Sequence, residues 1–493
     1  MHLSSIVNQL TILNHTGNLD CNISSVTFDS RKVKPGSLFI AIDGFSVDGH
    51  RFIQSAVEQG AVAIIVEKDV TLGTNTAIIK VPDSRKAMAM AAVHFFEDPA
   101  KNLNMIGVTG TNGKTSVTHF IKAILEANQI NTGVIGTMGT IINKKHYNSD
   151  RTTPESPDLQ ALLQKMVRLE TSSCIMEVSS HALDLSRVAG ITFNTAIFTN
   201  LTPDHLELHG TMEAYFQAKA KLFEQTSGFS IINTDDPYGR KLTKQIKKDK
   251  LITYGIHQKA HIQATDITYN LNHTKYTVIT PIGQIRVTIH LPGEIYVYNS
   301  LAAIACAFAN GISLETIRSG LDHVSGIKGR FETIYQHENY RVIVDFAHTE
   351  DALKQSLITI KPHVRGRLIL VFGVYADDSE NGRKKRIAMG RTAAEHTDYS
   401  IVTLDNPREH NQDMIMKETC DVLKELSTPY TGIKDRETAI RHAIQISNDD
   451  DTILLAGKGH ETTQILGNKE IPFNEKEIVL DSIKTKEFNQ PTY

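Results

Sequence analysis

A chain of 493 residues exceeds what one hydrophobic core supports, so about three domains are expected. With 40% hydrophobic and 22% charged residues it has the composition of soluble globular material, and a net charge of -3 gives no electrostatic reason to expect nucleic acid or an anionic membrane as partner. Cys21, Cys174, Cys306 and Cys420 are too far apart for a disulfide framework or a zinc-ligand spacing, and Cys174 and Cys306, in apolar runs, read as buried filler. Met1 to Leu13 lacks the basic region and apolar core of a signal peptide, and no apolar run approaches the ~18 residues of a membrane span, so membrane insertion is excluded and a cytoplasmic location expected.

Residues 1–97 read as a small α/β unit. Strand-like runs at Ser37 to Ala41 and Ala61 to Val66 flank a helical pattern from Phe52 to Gln59, and Asp29-Ser30-Arg31 reads as a turn with an Asp cap. Residues 98–326 form a second unit, opening with the apolar strand Ile106 to Val108 and the turn Thr109-Gly110-Thr111-Asn112-Gly113-Lys114-Thr115, which leads into a helical run from Val117 to Ala127. Gly110 and Gly113 allow a tight turn whose N–H groups face a polyphosphate at a helix N-terminus. Lys114 would then meet the β- and γ-phosphates, and the Thr115 hydroxyl would sit on Mg2+. The spacing is shorter than the usual phosphate loop, with Val108 where its first Gly would stand.

Strands and helices then alternate at Thr132 to Ile135, Asp158 to Leu169, Ser173 to Val178 and Thr195 to Thr199, which predicts a doubly wound parallel sheet with ligands at the carboxyl ends of its strands. Glu177 and His205 follow two of those strands and can approach Mg2+ near Thr115, the carboxylate as the hard ligand. From His209 to Phe223 the spacing is helical, with Met212, Tyr215, Phe216 and Phe223 toward the core, while Lys219 and Lys221 read locally as solvated charges on the polar face. Residues 327–493 form a third, Rossmann-like α/β unit. Its strands Val342 to Val344, Leu368 to Phe372, Ser400 to Thr403 and Thr452 to Leu455 each feed a loop of charged and small residues, and the chain ends in a frayed tail over 489–493.

Taken together, the motifs T-G-T-N-G-K-T, E-V-S-S-H, T-N-L-T-P-D-H, G-R-F-E, D-F-A-H-T, D-N-P-R and G-K-G-H-E, in this order, resemble the Mur ligase family of ATP-dependent amino-acid-adding enzymes over nearly the whole chain. Thr152-Thr153-Pro154-Glu155, Asp405-Asn406-Pro407-Arg408 and the closing G-K-G-H-E look most like the branch that adds the third residue to UDP-N-acetylmuramoyl-L-alanyl-D-glutamate. The resemblance implies an N-terminal domain for the UDP-substrate, a central ATP domain, and a C-terminal domain for the incoming amino acid. It implies further that Ser30 contacts the uridine part, that Thr152, Thr153, Ser179 and Arg187 hold the muramoyl-dipeptide, and that Asn299 lies near adenine. Arg330 would reach the ATP phosphates, Asp345 the ribose and His348 the catalytic region. Lys219 would carry a CO2-derived carbamate and, with Thr115, Glu177 and His205, hold Mg2+, two ions being expected. Asp405, Asn406, Arg408, Gly457 and Glu461 would bind the added amino acid.

The implied reaction is phosphoryl transfer from ATP to the D-Glu side-chain carboxylate, followed by attack of the amino acid's amine, on small-molecule substrates and by a monomer. Three departures bear on this. Asp378 stands where the family has an Arg for the added amino acid's carboxylate, which leaves Arg383 as the guanidinium available; Tyr296 replaces an Asn near adenine; and Glu350 follows D-F-A-H-T in place of Pro. D-N-P-R favours meso-diaminopimelate, since Arg408 can take its distal carboxylate in a bidentate grip, with L-lysine as the other acceptor. The rivals are a paralogous amide ligase with another acceptor or carboxylate, and a nucleotide-binding regulator without turnover.

Overall fold

The computed structural model describes residues 1–44, 47–73, 75–149 and 151–489. Most of the tail expected to fray, 490–493, lies outside them.

Three β-sheets organise the chain. The first has five strands in the order Asn14–Thr16, Ala77–Lys80, Ala61–Val66, Ser37–Ile40, Ser25–Thr27, parallel except for the first pair. The four-residue strand Ser37–Ile40 is buried throughout, as a central strand covered on both faces requires. Asp29 caps the short helical turn Ser30–Lys32 by accepting from Arg31 N–H at 3.0 Å, which is the turn chemistry expected of that triplet.

The second sheet has eleven strands. At its centre Asn104–Thr109 lies between Ser173–Glu177 and Phe193–Phe198, all parallel, and Thr132–Gly136, Thr226–Asn233 and Leu251–Gly255 extend the parallel set. The doubly wound parallel expectation holds for this core. Both edges turn antiparallel, through Gly139–Ile142 and Lys145–Tyr147 on one side and, beyond Ile262–Asn270, which still pairs parallel with Leu251–Gly255, through His273–Thr280 and Gly283–Ile289 on the other. Parallel order cannot continue there because these strands are joined by short turns, and a hairpin permits only antiparallel pairing.

Over this sheet the helix Lys114–Ala127 packs on Glu294–Ala309, whose side chains are buried along most of its length. The third sheet has six strands, in the order Glu332–His337, Tyr340–Asp345, Thr452–Ala456, Leu368–Val374, Tyr399–Leu404, Tyr430–Gly432, parallel apart from the first pair. One apolar core runs from Ile106 and Val117 through Ile327 and Phe331 to Ile343 and Leu370, so the second and third sheets share a continuous interior. Cys174 and Cys306 lie fully buried, and burial pushes both thiols up to about 12, in keeping with inert packing. Among the described residues no helix is long and apolar enough to cross a membrane.

At the carboxyl end of Thr452–Ala456 a fully buried ion pair fixes the loop that follows. Arg436 donates to Glu475 Oε1 from Nε at 2.9 Å and to Ala456 O from Nη2 at 2.9 Å. Removing one partner of such a pair strands the other charge in the interior. Arg436→Leu is therefore expected to lower unfolding free energy by about 3–5 kcal/mol in urea denaturation, and Arg436→Met combined with Glu475→Leu to recover most of that loss. A double variant as unstable as the single one would show that the pair is not what holds this corner.

Candidate active site

The carboxyl ends of the central strands and the loops of the third sheet enclose a cleft of about 270 Å³. Thr111, Asn112, Gly113, Lys114, Thr115 and Glu177 line one wall, and Arg330, Asp345 and His348 the other.

The loop after Asn104–Thr109 is built on two glycines that nothing larger can replace. Gly110 has φ 147° and Gly113 φ 90°, and an added Cβ would collide with Thr199 Oγ1 at the first and with Asn299 Oδ1 at the second. The neighbouring strand loop clamps the turn: Asn112 N–H donates to Asn200 Oδ1 at 2.9 Å, and Thr199 Oγ1 donates to Asn112 O at 2.7 Å. Lys114 Nζ donates to Gly110 O at 3.0 Å and Thr111 O at 2.8 Å.

Lys219 overturns its local reading as a solvated charge. It is 2% exposed, and its Nζ donates to the same Gly110 carbonyl at 2.9 Å, 4.5 Å from the centre of the Tyr215 ring. Burial, reinforced by the Lys114 ammonium and opposed by Asp204, holds its amine well below the usual lysine range. Lys221 does sit at the surface, paired with Asp184 at 2.8 Å. The signal for Lys219 was in the spacing: it falls three residues after Phe216 and four after Tyr215, inside the apolar stripe, whereas Lys221 falls outside it.

Glu177 is held by three donors. Thr115 Oγ1 and Thr137 N–H donate to Oε1 and Thr137 Oγ1 to Oε2, each at 3.0 Å. Thr115 Oγ1 also accepts from Arg330 Nη2 at 2.9 Å, and the Arg330 guanidinium lies 4.5 Å from the Phe346 ring centre. Hydroxyl and carboxylate oxygens on the wall of a polyphosphate-sized cleft are the hard donors that suit Mg2+, which commonly takes one or two carboxylates and completes its shell with phosphate and water. His205 lines the same cleft but faces Asp204 (3.2 Å) and Glu207 (3.5 Å), with the His181 ring 4.8 Å away, rather than Glu177. Among the described residues no three His, Cys, Asp or Glu side chains are already gathered as a ligand set.

Asp345 accepts from Phe331 N–H at 3.1 Å and from the Ser356 hydroxyl, and burial raises its carboxyl above the usual range. His348 points Nδ1 at Phe346 O, 3.0 Å away, and burial lowers its imidazole, with Asp204 opposing. Asn299 is buried against Gly113, and Tyr296 lines the cleft one helical turn earlier.

A second cavity borders the first. Ser30, Arg85, Arg151, Glu155, His181 and Arg187 line it. Arg187, Arg151 and Arg85 approach the Glu155 carboxylate at 2.9, 3.3 and 3.9 Å, so the guanidinium groups outnumber the carboxylate and leave a net positive wall for an anionic ligand. Arg187 Nη1 also donates to Thr153 O at 3.1 Å, and Thr153 Oγ1 to Glu177 O at 2.8 Å. Thr152 and Ser179 line the first cleft, and Thr152 Oγ1 lies 3.2 Å from Thr137 Oγ1, so the segment Arg151–Thr153 carries residues of both cavities. Arg85 was missed by sequence reasoning, because only the tertiary fold brings it to Glu155.

In the third unit, fully buried Lys458 ties the loops together, donating to Glu461 Oε2 (2.7 Å), Asn406 Oδ1 (3.0 Å) and Asp405 Oδ1 (3.3 Å). Gly457, at φ 120°, leaves room for Asp405; a Cβ there would lie 2.9 Å from its Oδ2. Arg408 takes a left-handed φ of 51°, and its backbone is pinned by Ile465 O and Gly467 N–H. Its guanidinium is exposed and without a partner among the described residues. Arg383 instead faces Glu418 (3.6 Å) and Glu380 (3.9 Å), and Asp378 pairs with His410 at 3.2 Å, beside the Arg408 loop.

Comparison with known proteins agrees along the chain. Family models described as Mur ligase family, catalytic domain, Mur ligase middle domain, and Mur ligase, glutamate ligase domain match residues 22–108, 108–307 and 329–459. The chain is 43% identical over 481 residues to the UDP-N-acetylmuramoyl-L-alanyl-D-glutamate--2,6-diaminopimelate ligase of Clostridioides difficile, covering 97% of this chain and 98% of that one. It is 42% identical over 471 residues to the protein of that name from Caldanaerobacter subterraneus subsp. tengcongensis, covering 96% and 97%. A solved structure of a ligase of that name superposes with a TM-score of 0.68 at 29% identity, over 99% of both chains. The MurF ligase of Thermotoga maritima in complex with ADP shares the fold, with a TM-score of 0.65 at 18% identity over 94% of this chain and 97% of that one.

Gly113→Ala is expected to weaken binding of a fluorescent Mg2+–ATP analogue at least about tenfold, since a side chain at that φ costs about 1–2 kcal/mol before its clash with Asn299 is counted. Gly73→Ala, whose Cβ meets nothing within 4 Å, should bind as the parent does. Equal affinity in the two variants would remove the loop from the nucleotide site.

Proposed function

The chain belongs to the Mur ligase family, ATP-dependent enzymes that form amide bonds, and on that premise we propose that it joins meso-diaminopimelate to the D-Glu side-chain carboxylate of UDP-N-acetylmuramoyl-L-Ala-D-Glu in peptidoglycan precursor synthesis. The observation that carries the choice of acceptor is Arg408, its guanidinium free among the described residues and its backbone held by Ile465 and Gly467, ready for the distal carboxylate of a diamino diacid. L-lysine lacks that carboxylate and would leave Arg408 unused.

Residues 1–97 and the arginine-lined cavity hold the UDP-substrate, with Ser30 toward uridine and Thr152, Thr153, Ser179 and Arg187 on the muramoyl-dipeptide. Arg85 and Arg151 add positive charge there. Residues 98–326 bind ATP: the loop of Gly110, Thr111, Asn112 and Gly113 brings the phosphates to the N-terminus of the helix Lys114–Ala127, Lys114 and Arg330 neutralise them, Asn299 borders adenine and Asp345 the ribose. Residues 327–493 present the amine, with Asp405, Asn406, Gly457 and Glu461 around its zwitterionic end.

Mg2+, when bound, supplies charge neutralisation at the transferring phosphoryl group, and Thr115, Glu177 and His205 would hold it, with a CO2-derived carbamate on Lys219 providing anionic oxygens for a second ion. Lys219 suits that modification, because a buried amine held below its usual pKa is available in the neutral form that reacts with CO2.

A D-Glu carboxylate oxygen attacks the γ-phosphorus and ADP leaves, giving an acyl phosphate. The amine of the acceptor then attacks the acyl carbon and expels phosphate. What the protein contributes is alignment and charge: Lys114 and the loop N–H groups draw charge toward the leaving phosphates, and His348 stands on the opposite wall of the cleft. We place the reaction in the cytoplasm and assign it to a monomer.

ADP release with UDP-N-acetylmuramoyl-L-Ala-D-Glu is expected to depend on meso-diaminopimelate and to be much slower with lysine or ornithine. Arg408→Ala should raise KM for diaminopimelate about 10–100-fold with a smaller effect on KM for ATP. Lys219→Ala should abolish turnover, with no rescue by bicarbonate. Turnover with none of the acceptors, or unchanged selectivity in Arg408→Ala, would sink the assignment.

A further inference from the structure

Two side chains of the third unit leave it to hold the loop that carries His205. Lys385, on the helix Glu380–His396, places Nζ 2.9 Å from Asp204 Oδ1 and 3.6 Å from Glu207 Oε2. Tyr375, just beyond the strand Leu368–Val374, donates from its hydroxyl to Glu207 Oε1 at 3.4 Å, and the Lys385 ammonium lies 4.1 Å from its ring centre. Asp204 passes the contact on, its Oδ2 lying 3.2 Å from His205 Nε2. Glu207 meets the other ring nitrogen, Nδ1, at 3.5 Å. Both carboxylates that orient the imidazole are thus gripped by one ammonium from the acceptor-side unit.

The grip has a rigid base and an aimed target. Arg386, the residue after Lys385, is fully buried and donates to Tyr375 O at 2.9 Å, Asp377 O at 2.6 Å and Glu418 Oε2 at 2.7 Å. The segment Tyr375 to Asp377 and the helix bearing Lys385 therefore move as one piece, and Asp378 continues that piece to His410 beside Arg408. At the other end, His205 has a left-handed φ of 50°, a strained setting for a non-glycine residue that needs surrounding contacts to persist. Asp204 is nearly all buried and has two such contacts, the His205 ring and the Lys385 ammonium, so losing one of them still leaves the carboxylate paired.

We propose that Lys385 is a positioning residue for ligation: it aligns Asp204 and Glu207, and through them His205, only when the unit that holds the acceptor is docked on the nucleotide site. Acceptor-side geometry and nucleotide-side geometry are then set by a single contact. The role in ligation rests on the site reading above; the contact itself does not.

The test uses the full chain with Lys385→Gln and Lys385→Arg. In Lys385→Gln, kcat for ligation should fall on the order of 10²-fold while KM for ATP and the thermal midpoint stay near the parent's, and arginine should restore kcat to within about tenfold of the parent. Independently of turnover, amide hydrogen exchange over residues 200–209 should quicken in Lys385→Gln and not in Lys385→Arg. Parental kcat in Lys385→Gln, or equal losses in the two variants with a lowered midpoint, overturns the positioning role. An unchanged exchange pattern in Lys385→Gln overturns the contact itself, even if the parent protein proves to ligate a different acceptor or to turn over nothing.

Discussion

Two amines share one carbonyl. Lys114 and Lys219 both donate to Gly110 O, burial disfavours charge on each, and the carboxylates of Glu177 and Asp204 are what oppose that trend. An anion delivered to this loop relieves the imbalance, and a polyphosphate at a helix N-terminus does so with oxygens already directed at backbone N–H groups. The surrounding structure follows from keeping this arrangement dry and fixed. Glycine is obligatory at 110 and 113, Asn200 and Thr199 clamp the turn, and Thr137 holds both oxygens of Glu177.

The second requirement is convergence. Phosphoryl transfer to a carboxylate followed by attack of an amine needs three ligands in line, and no single sheet edge presents enough groups for all of them. Here the carboxyl ends of the second and third sheets face the same cleft over a continuous apolar core, and polar contacts cross it: Arg330 to Thr115, Asn112 to Asp351 at 2.9 Å, and Lys385 to Asp204. The arginine-lined cavity is tied to it through Arg187, which donates to Thr153 O, and Thr153, which donates to Glu177 O. Each loop is short because each strand already delivers it to the edge where it is needed.

How much of this was legible in the sequence depended on whether the signal was local. The phosphate loop, Glu177, the D-N-P-R loop and the parallel strands declare themselves through a few consecutive residues, and all lie where those residues suggested. The antiparallel flanks did not: His273–Thr280 alternates inward and outward, but Thr274 and Thr280 hold two of its inward positions, so the alternation is not one of apolar with polar residues. Arg85 and Lys385 depend on partners far along the chain and have no distinguishing neighbours in sequence. Lys219 is the instructive case. The helical stripe that put Tyr215 and Phe216 in the core also put Lys219 there, but a charged residue is read as solvated by habit even when its position says otherwise.

We hold that the charge gathered around Gly110 serves transfer of a phosphoryl group from ATP to a carboxylate. Its most direct test is ligation with the D-Glu side-chain carboxylate labelled with oxygen-18, followed by mass analysis of the released phosphate. If an acyl phosphate forms, each turnover carries one labelled oxygen into phosphate. Label lost to water, or found in AMP, would contradict the mechanism and with it the role given to the loop.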